Sequence, residues 1–179
     1  MKQDKITTQS VITTERFQLR PLSMADTGLM SLYASDKRVA EMTPNIPHPL
    51  PPGAVEAMIE RALADQSQDV IWAIDASPSD GAELVGVIEL HQMDRAQSEI
   101  RYWVAPAMWN TGIASEVVRA LIAANPLAND TIFASVFQDN PRSARVLVNA
   151  GFEYLGDAES YSVARRAALP TWTYLKKLI

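Results

Sequence analysis

Tyr102-Trp103-Val104-Ala105-Pro106 and, two residues on, Trp109-Asn110-Thr111-Gly112-Ile113-Ala114-Ser115 decide how this chain is read. A strand-like run ends at a proline, and a short turn with one glycine follows. From Ala114 an amphipathic pattern places Val117, Val118, Leu121 and Ile122 on one buried face. A turn feeding a helix start aims several main-chain N–H groups at one point, where the helix dipole favours an anion. Small residues at Gly112 and Ala114 leave the main chain open to a phosphate. The lysine of a P-loop is missing, so a diphosphate carried by a cofactor fits better than a nucleoside triphosphate. A plain strand-to-helix connection is the competing reading.

A second segment changes the weighing. Asp139-Asn140-Pro141-Arg142-Ser143-Ala144-Arg145-Val146-Leu147-Val148-Asn149-Ala150-Gly151-Phe152 opens with a cap residue and a proline at the first helical position, and closes with glycine at the C-terminal cap. Together the two segments resemble the GNAT superfamily of N-acetyltransferases, which use acetyl-coenzyme A. The Tyr-Trp-Val-x-Pro lead-in, Trp109 before the turn and Asn140-Pro141-x-Ser143 look most like its Rim-type branch, which acetylates protein N-termini, ribosomal proteins among them. The resemblance runs from about Thr14 to the C-terminus.

Composition sets outer bounds. The chain has 179 residues, 47% hydrophobic and 21% charged, which fits one globular domain over 10–179 behind a flexible polar segment 1–9. No apolar run reaches the length of a membrane span, and Met1-Lys2-Gln3-Asp4-Lys5 lacks the apolar stretch of a signal peptide. With no cysteine and only His48 and His91, no metal is expected, and a cytoplasmic location is. A formal charge of −5 argues against direct nucleic-acid binding.

Along the chain, Thr14 to Arg20 alternates as a strand, and Ser23-Met24-Ala25-Asp26 is a capping-box pattern before a helix carrying Leu29, Leu32 and Tyr33 on one face. Asn45 to Gly53, with four prolines, is a loop. Val55, Met58, Ile59, Ala62 and Leu63 have helical spacing. Val70–Ile74, Leu84–Leu90, Glu99–Val104 and Thr131–Val136 read as strands, followed by a helix over Asn140–Ala150 and short strands near Phe152–Leu155 and Thr171–Leu175. The interleaving is α/β or α+β. The resemblance sharpens this to a mostly antiparallel, twisted sheet splayed at its centre and flanked by helices.

The resemblance also implies roles. Trp103, Val104 and Ala105 would hold the pantetheine arm of acetyl-CoA with their main chain. Trp109, Asn110, Thr111, Gly112, Ile113, Ala114 and Ser115 would cradle its diphosphate, and Asn140 would add a side-chain contact or serve only as a helix cap. Trp109 stands where many members have Gln or Arg, and Asn110 where this branch has glycine. Many members place a tyrosine acid at the position of Leu147, which cannot serve. Ser143 is the branch's alternative partner for the departing thiolate, against a purely local hydrogen-bonding role. Glu99 is the candidate base, against a solvated strand position. Glu89 and His91 could hold a water at the acceptor, and Glu159 is offset from a base position filled by Ser162. His48, between prolines, is a candidate wall of the acceptor channel. An α-amine, with a pKa of about 7.7–8.0 against about 10.4 for lysine, needs little help to deprotonate, so a weak base points to a protein N-terminus as acceptor. A small amine metabolite or antibiotic is the alternative acceptor, and a non-catalytic acyl-CoA sensor is the alternative function. Trp172 and Tyr174 on an edge-prone last strand predict a homodimer.

Overall fold

A computed structural model describes residues 9–179. Eight strands form one sheet in the order β1-β2-β3-β4-β5-β6-β8-β7. They are β1 (Ile12–Thr13), β2 (Gln18–Pro21), β3 (Asp69–Asp75), β4 (Gly86–Met93), β5 (Gln97–Val104), β6 (Thr131–Phe137), β7 (Glu153–Ser162) and β8 (Ala167–Lys177). Five α-helices accompany them: α1 (Thr27–Ala34), α2 (Lys37–Met42), α3 (Ala54–Leu63), α4 (Ile113–Ala124) and α5 (Pro141–Asn149). All neighbours pair antiparallel except β5 and β6, which run parallel.

Period-2 alternation gives the sheet two apolar faces. Trp72, Ile74, Ile88, Leu90 and Ile100 pack with Val117, Val118, Leu121 and Leu147 of α4 and α5. The intervening Ala73 and Val87 pack on the other face with Met30, Ala34, Val39, Val55 and Ile59 of α1 to α3. The feature that matters for function is the β5–β6 pair. Its register covers only Gln97↔Thr131, Ser98↔Ile132 and Glu99↔Phe133, after which the strands part. The expected central splay is this divergence.

Several expectations are corrected. Thr14–Arg20 is not one strand, because Thr14 closes a turn with Phe17 (N to O, 2.8 Å) that separates β1 from β2. Of the Leu29-Leu32-Tyr33 face, Leu29 and Tyr33 pack on the core while Leu32 is 63% exposed, and Met30 and Ala34 are the most deeply buried residues of α1. β7 and β8 are long, not short, and β8 lies between β6 and β7. Trp172 and Tyr174 therefore sit on an internal strand, and the edge argument for a dimer does not hold for them; the edge at that end of the sheet is β7, and at the other end β1. Of the expected flexible segment, residues 1–8 lie outside the described residues, and the Gln9 side chain donates to Ile71 O at 2.8 Å.

Candidate active site

Main-chain parity shows what the splay exposes. Gln92 N–H donates to Gln68 O (2.8 Å), so even-numbered residues of β4 turn their peptide groups to β3 and odd-numbered ones to β5. By the β4–β5 register, Arg101 and Trp103 then face β4, while Ile100, Tyr102 and Val104 face β6. The Ala96 carbonyl, which accepts from Asp130 N–H at 2.8 Å, obeys the same parity. Since β6 pairs only as far as Phe133, the peptide groups of Tyr102 and Val104 turn to an opening, while Ile100 lies at the closing end of the ladder. Of the three pantetheine candidates, Val104 alone turns its main chain there; Ala105 N–H is bonded to Val85 O at 2.8 Å. The Val104 carbonyl accepts the Trp109 indole N–H at 2.8 Å, so this tryptophan caps the end of the opening. Arg38 and Arg142 flank its ring, at 5.7 and 5.1 Å from the centroid.

The turn after β5 has the backbone a cradle needs. Asn110 (φ 63°) and Gly112 (φ 79°) are both left-handed, and Gly112 is the N-cap of α4. A Cβ on Gly112 would meet only Arg16 Nη2, at 3.6 Å, so the site is open and the conformation itself demands glycine. The turn is braced from the far end of the chain. Arg16 donates from Nη1 to Thr111 O (3.0 Å) and from Nε to Glu116 Oε1 (2.7 Å). Glu116 Oε2 also accepts from Arg16 N–H (3.0 Å) and Thr14 Oγ1 (2.6 Å). Burial pushes the Glu116 carboxyl up, but these donors outweigh it and the net shift is downward.

A cavity of about 1130 Å³ runs through the splay. At one end it is lined by Trp109 to Ser115 and by Asn140, Arg142 and Ser143 of α5, and at the other by Asp69, Glu89, Glu99 and Arg101 on the α1–α3 face. Asn140 makes no side-chain capping hydrogen bond, so its amide is free for a ligand in the cavity. Ser143 is committed to a partner the sequence reading missed. Its Oγ–H donates to Tyr102 Oη (2.9 Å), and the Tyr102 hydroxyl donates back to Ser143 O (3.1 Å). Burial pushes the Tyr102 phenol up to about 12, and the Ser143 bond opposes that rise only in part, so it stays protonated across the neutral range. Leu147 is fully buried in the core.

The acceptor-side groups lie on three adjacent strands. His91 Nδ1 is 2.6 Å from Asp69 Oδ1, and Arg101 reaches Glu99 from Nε (3.1 Å) and Glu89 from Nη1 (3.5 Å). Burial raises the Glu89 carboxyl above the ordinary glutamate range, Arg101 pulls it back and Asp69 pushes it further up. The side wall is made by Thr43 to Ile46 and not by His48, which lies outside the cavity lining with its Nδ1 buried and without a partner among the described residues. His91 borders a separate small pocket with Gln68 and Gln97. Glu159 is exposed, and Ser162 accepts from Arg165 N–H at 3.2 Å. Arg165, also missed, donates to Glu41 O at 2.7 Å and pairs with Asp139, joining α2 to the start of α5 beside the cavity. Tyr102 and Arg101 were within reach of the same alternation that placed Ile100 and Glu99; Arg16 and Arg165 carry no local signal.

The sequence model of the acetyltransferase (GNAT) domain matches residues 16–153. The chain belongs to the GNAT acetyltransferase family. YoaA, an uncharacterized N-acetyltransferase of Bacillus subtilis (strain 168), is 33% identical over 104 residues, covering 56% of this chain and 58% of YoaA. The match thus spans little more than half of that relative. Among solved structures, this GNAT chain is similar to RimL, a ribosomal L7/L12 alpha-N-protein acetyltransferase in complex with coenzyme A, with a TM-score of 0.80 at 14% identity, over 94% of this chain and 98% of that one. It is also similar to the spermidine N-acetyltransferase of Vibrio cholerae in complex with CoA and spermine, with a TM-score of 0.76 at 15% identity, over 91% and 96% of the two chains. Among the described residues no helix is long and apolar enough to cross a membrane, and no acid, histidine and cysteine group could hold a metal ion.

Proposed function

We propose that residues 10–179 are one N-acetyltransferase domain of Rim type, which moves the acetyl group of acetyl-CoA to a primary amine by direct attack. The observation that carries this reading is the through-going cavity. Its one end is a left-handed turn at a helix N-terminus, its middle is a strand edge with free peptide groups, and its other end is lined by carboxylates. Main-chain N–H groups from Asn110 to Ser115 take the diphosphate, with Arg38 and Arg142 nearby to balance its charge. The peptide edge of β5 beyond Ile100 suits an amide-bearing chain laid along it, as a strand would be. The Asn140 amide adds a side-chain donor and acceptor. Acetyl-CoA supplies the activated acyl group, and the protein holds the thioester between Ser143 and the acceptor-side carboxylates. Ser143 steadies the departing thiolate, with its rotamer set by Tyr102.

A protein N-terminal α-amine is the acceptor this reading favours. Thr43 to Ile46 and β5 both line the cavity, and RimL, of the same fold, acts on such an amine. A small polyamine is the second reading, supported by the carboxylates at the acceptor end and by the spermidine enzyme of the same fold. The enzyme would work in the cytoplasm, as a homodimer formed through the β7 edge. The test is CoA-thiol release from acetyl-CoA with a six-residue peptide bearing a free N-terminus and, separately, with spermidine. Turnover of the peptide by at least tenfold in kcat/KM over spermidine is expected, with no acetylated protein in intact-mass spectra. Binding of acetyl-CoA without thiol release on either amine would replace this reading with that of an acyl-CoA sensor.

A further inference from the structure

The inference rests on the acetyl-transfer reading and deepens it. We propose that Glu89, and not Glu99, takes the proton from the acceptor's ammonium group. The splay fixes the reasoning. Glu99 sits at the last paired position of β5 with β6, opposite Phe133, at the apex where the sheet is still closed. Glu89 lies across from Arg101, two residues further along β5, level with the opening and on the acceptor face. Glu99 is also spoken for, because Arg101 Nε–H donates to it at 3.1 Å. Arg101 Nη1 also stands 3.5 Å from Glu89, so one guanidinium is shared by the two carboxylates and holds Glu99 the more closely. Glu89 is the more enclosed of the two, at 19% side-chain exposure against 27%.

The charged groups around Glu89 are Asp69 from β3, His91 from its own strand and Glu99 and Arg101 from β5, with Arg61 of α3 and Glu41 of α2 along the same cavity. Burial dominates this set and raises the carboxyl, which brings its proton affinity closer to that of an α-amine. The step then balances. Glu89 accepts one proton from R–NH3+. The amine lone pair attacks the thioester carbonyl carbon, the C–N bond forms, and the C–S bond breaks with its electron pair leaving on sulfur. The second amine proton passes to that thiolate by way of the Ser143 hydroxyl, which turns its O–H from Tyr102 Oη to sulfur as it takes up the amine proton, giving the amide and the free thiol. Glu89 returns its proton to solvent at the end of β4 where His91 and Asp69 lie.

The test is the pH profile of kcat/KM for a neutral six-residue peptide with a free N-terminus, in wild type, Glu89→Gln and Glu99→Gln. For Glu89→Gln, about a hundredfold loss is expected at pH 6.5, where the free amine is almost wholly protonated. At pH 9, where solvent has already deprotonated the amine, the loss should shrink to about fivefold or less. A purely structural role would lower both values alike, and thermal melting checks that each variant is folded. A loss independent of pH overturns the proposal. So does an acid limb that persists in Glu89→Gln and vanishes in Glu99→Gln. If wild type acetylates neither the peptide nor spermidine at any pH, the acetyl-transfer reading falls and this inference with it.

Discussion

Arg16 lies outside both sequence motifs, yet it should control diphosphate binding. Its guanidinium bonds Thr111 O and Glu116 Oε1, and it is the cation that offsets Glu116 in the first turn of α4. Arg16→Ala removes both bonds. Glu116 keeps two donors, Thr14 Oγ1 and the residue-16 N–H, so it stays ionised beside a ligand of the same sign. At about 8 Å and an effective dielectric of about 20, one unit charge repels another by about 2 kcal/mol. Losing a hydrogen bond to a charged group costs a further 1 kcal/mol or so where the turn is half exposed. Together these predict a rise of about 100- to 200-fold in the acetyl-CoA Kd by calorimetry. Acetyl-pantetheine has the thioester arm and no diphosphate, so its kcat/KM should change by less than about threefold. Adding Glu116→Gln to Arg16→Ala removes the stray charge and should recover about 30-fold in acetyl-CoA affinity. Equal losses for the two acyl donors, or no recovery in the double variant, would refute the argument and reduce Arg16 to a structural clamp.

Other expectations follow from single contacts. Ser143→Ala should lower kcat by about 30- to 1,000-fold with the acetyl-CoA Kd nearly unchanged. Tyr102→Phe acts through the same hydroxyl, so the double variant should lose no more than Ser143→Ala alone, and additive losses would separate the two residues. Thr171 is 2% exposed and its Oγ1 has no partner among the described residues, so Thr171→Val should raise Tm by about 2–4 °C; a fall would mean that the hydroxyl is satisfied. Glu89 carries a folded-state pKa above its unfolded value, so its contribution to stability is present at low pH and is lost as pH rises through the folded pKa. Glu89→Gln should therefore melt higher than wild type at pH 7.5 and converge with it below about pH 4, and a lower Tm at pH 7.5 would contradict the sign of that shift.

What was legible in the sequence is what two local rules encode. Short apolar runs gave β3 and β4, both of whose faces are packed, and alternation and helical spacing gave β5, β6, α3 and α4, which turn one side to the core. β7 failed that rule for a physical reason. Tyr154, Leu155 and Tyr161 are all more than half exposed, so neither face of the strand imposes a pattern, and its length is set by pairing with β8. The turn before α4 was legible because glycine at a helix start is a conformational statement, and Gly112 does adopt the left-handed geometry. The chemistry around it was less legible because it is built from pairs distant in sequence. Tyr102 and Ser143 are 41 positions apart, and Arg16 and Glu116 are 100. One sequence cannot show that two such residues meet until the sheet order is known. Once it is known, parity does much of the rest. Residues 100, 102 and 104 present peptide groups to the β6 side and side chains to α5, while 99, 101 and 103 present side chains to the acceptor. In the proposed function one strand serves both substrates, because its two faces and its edge point in three directions.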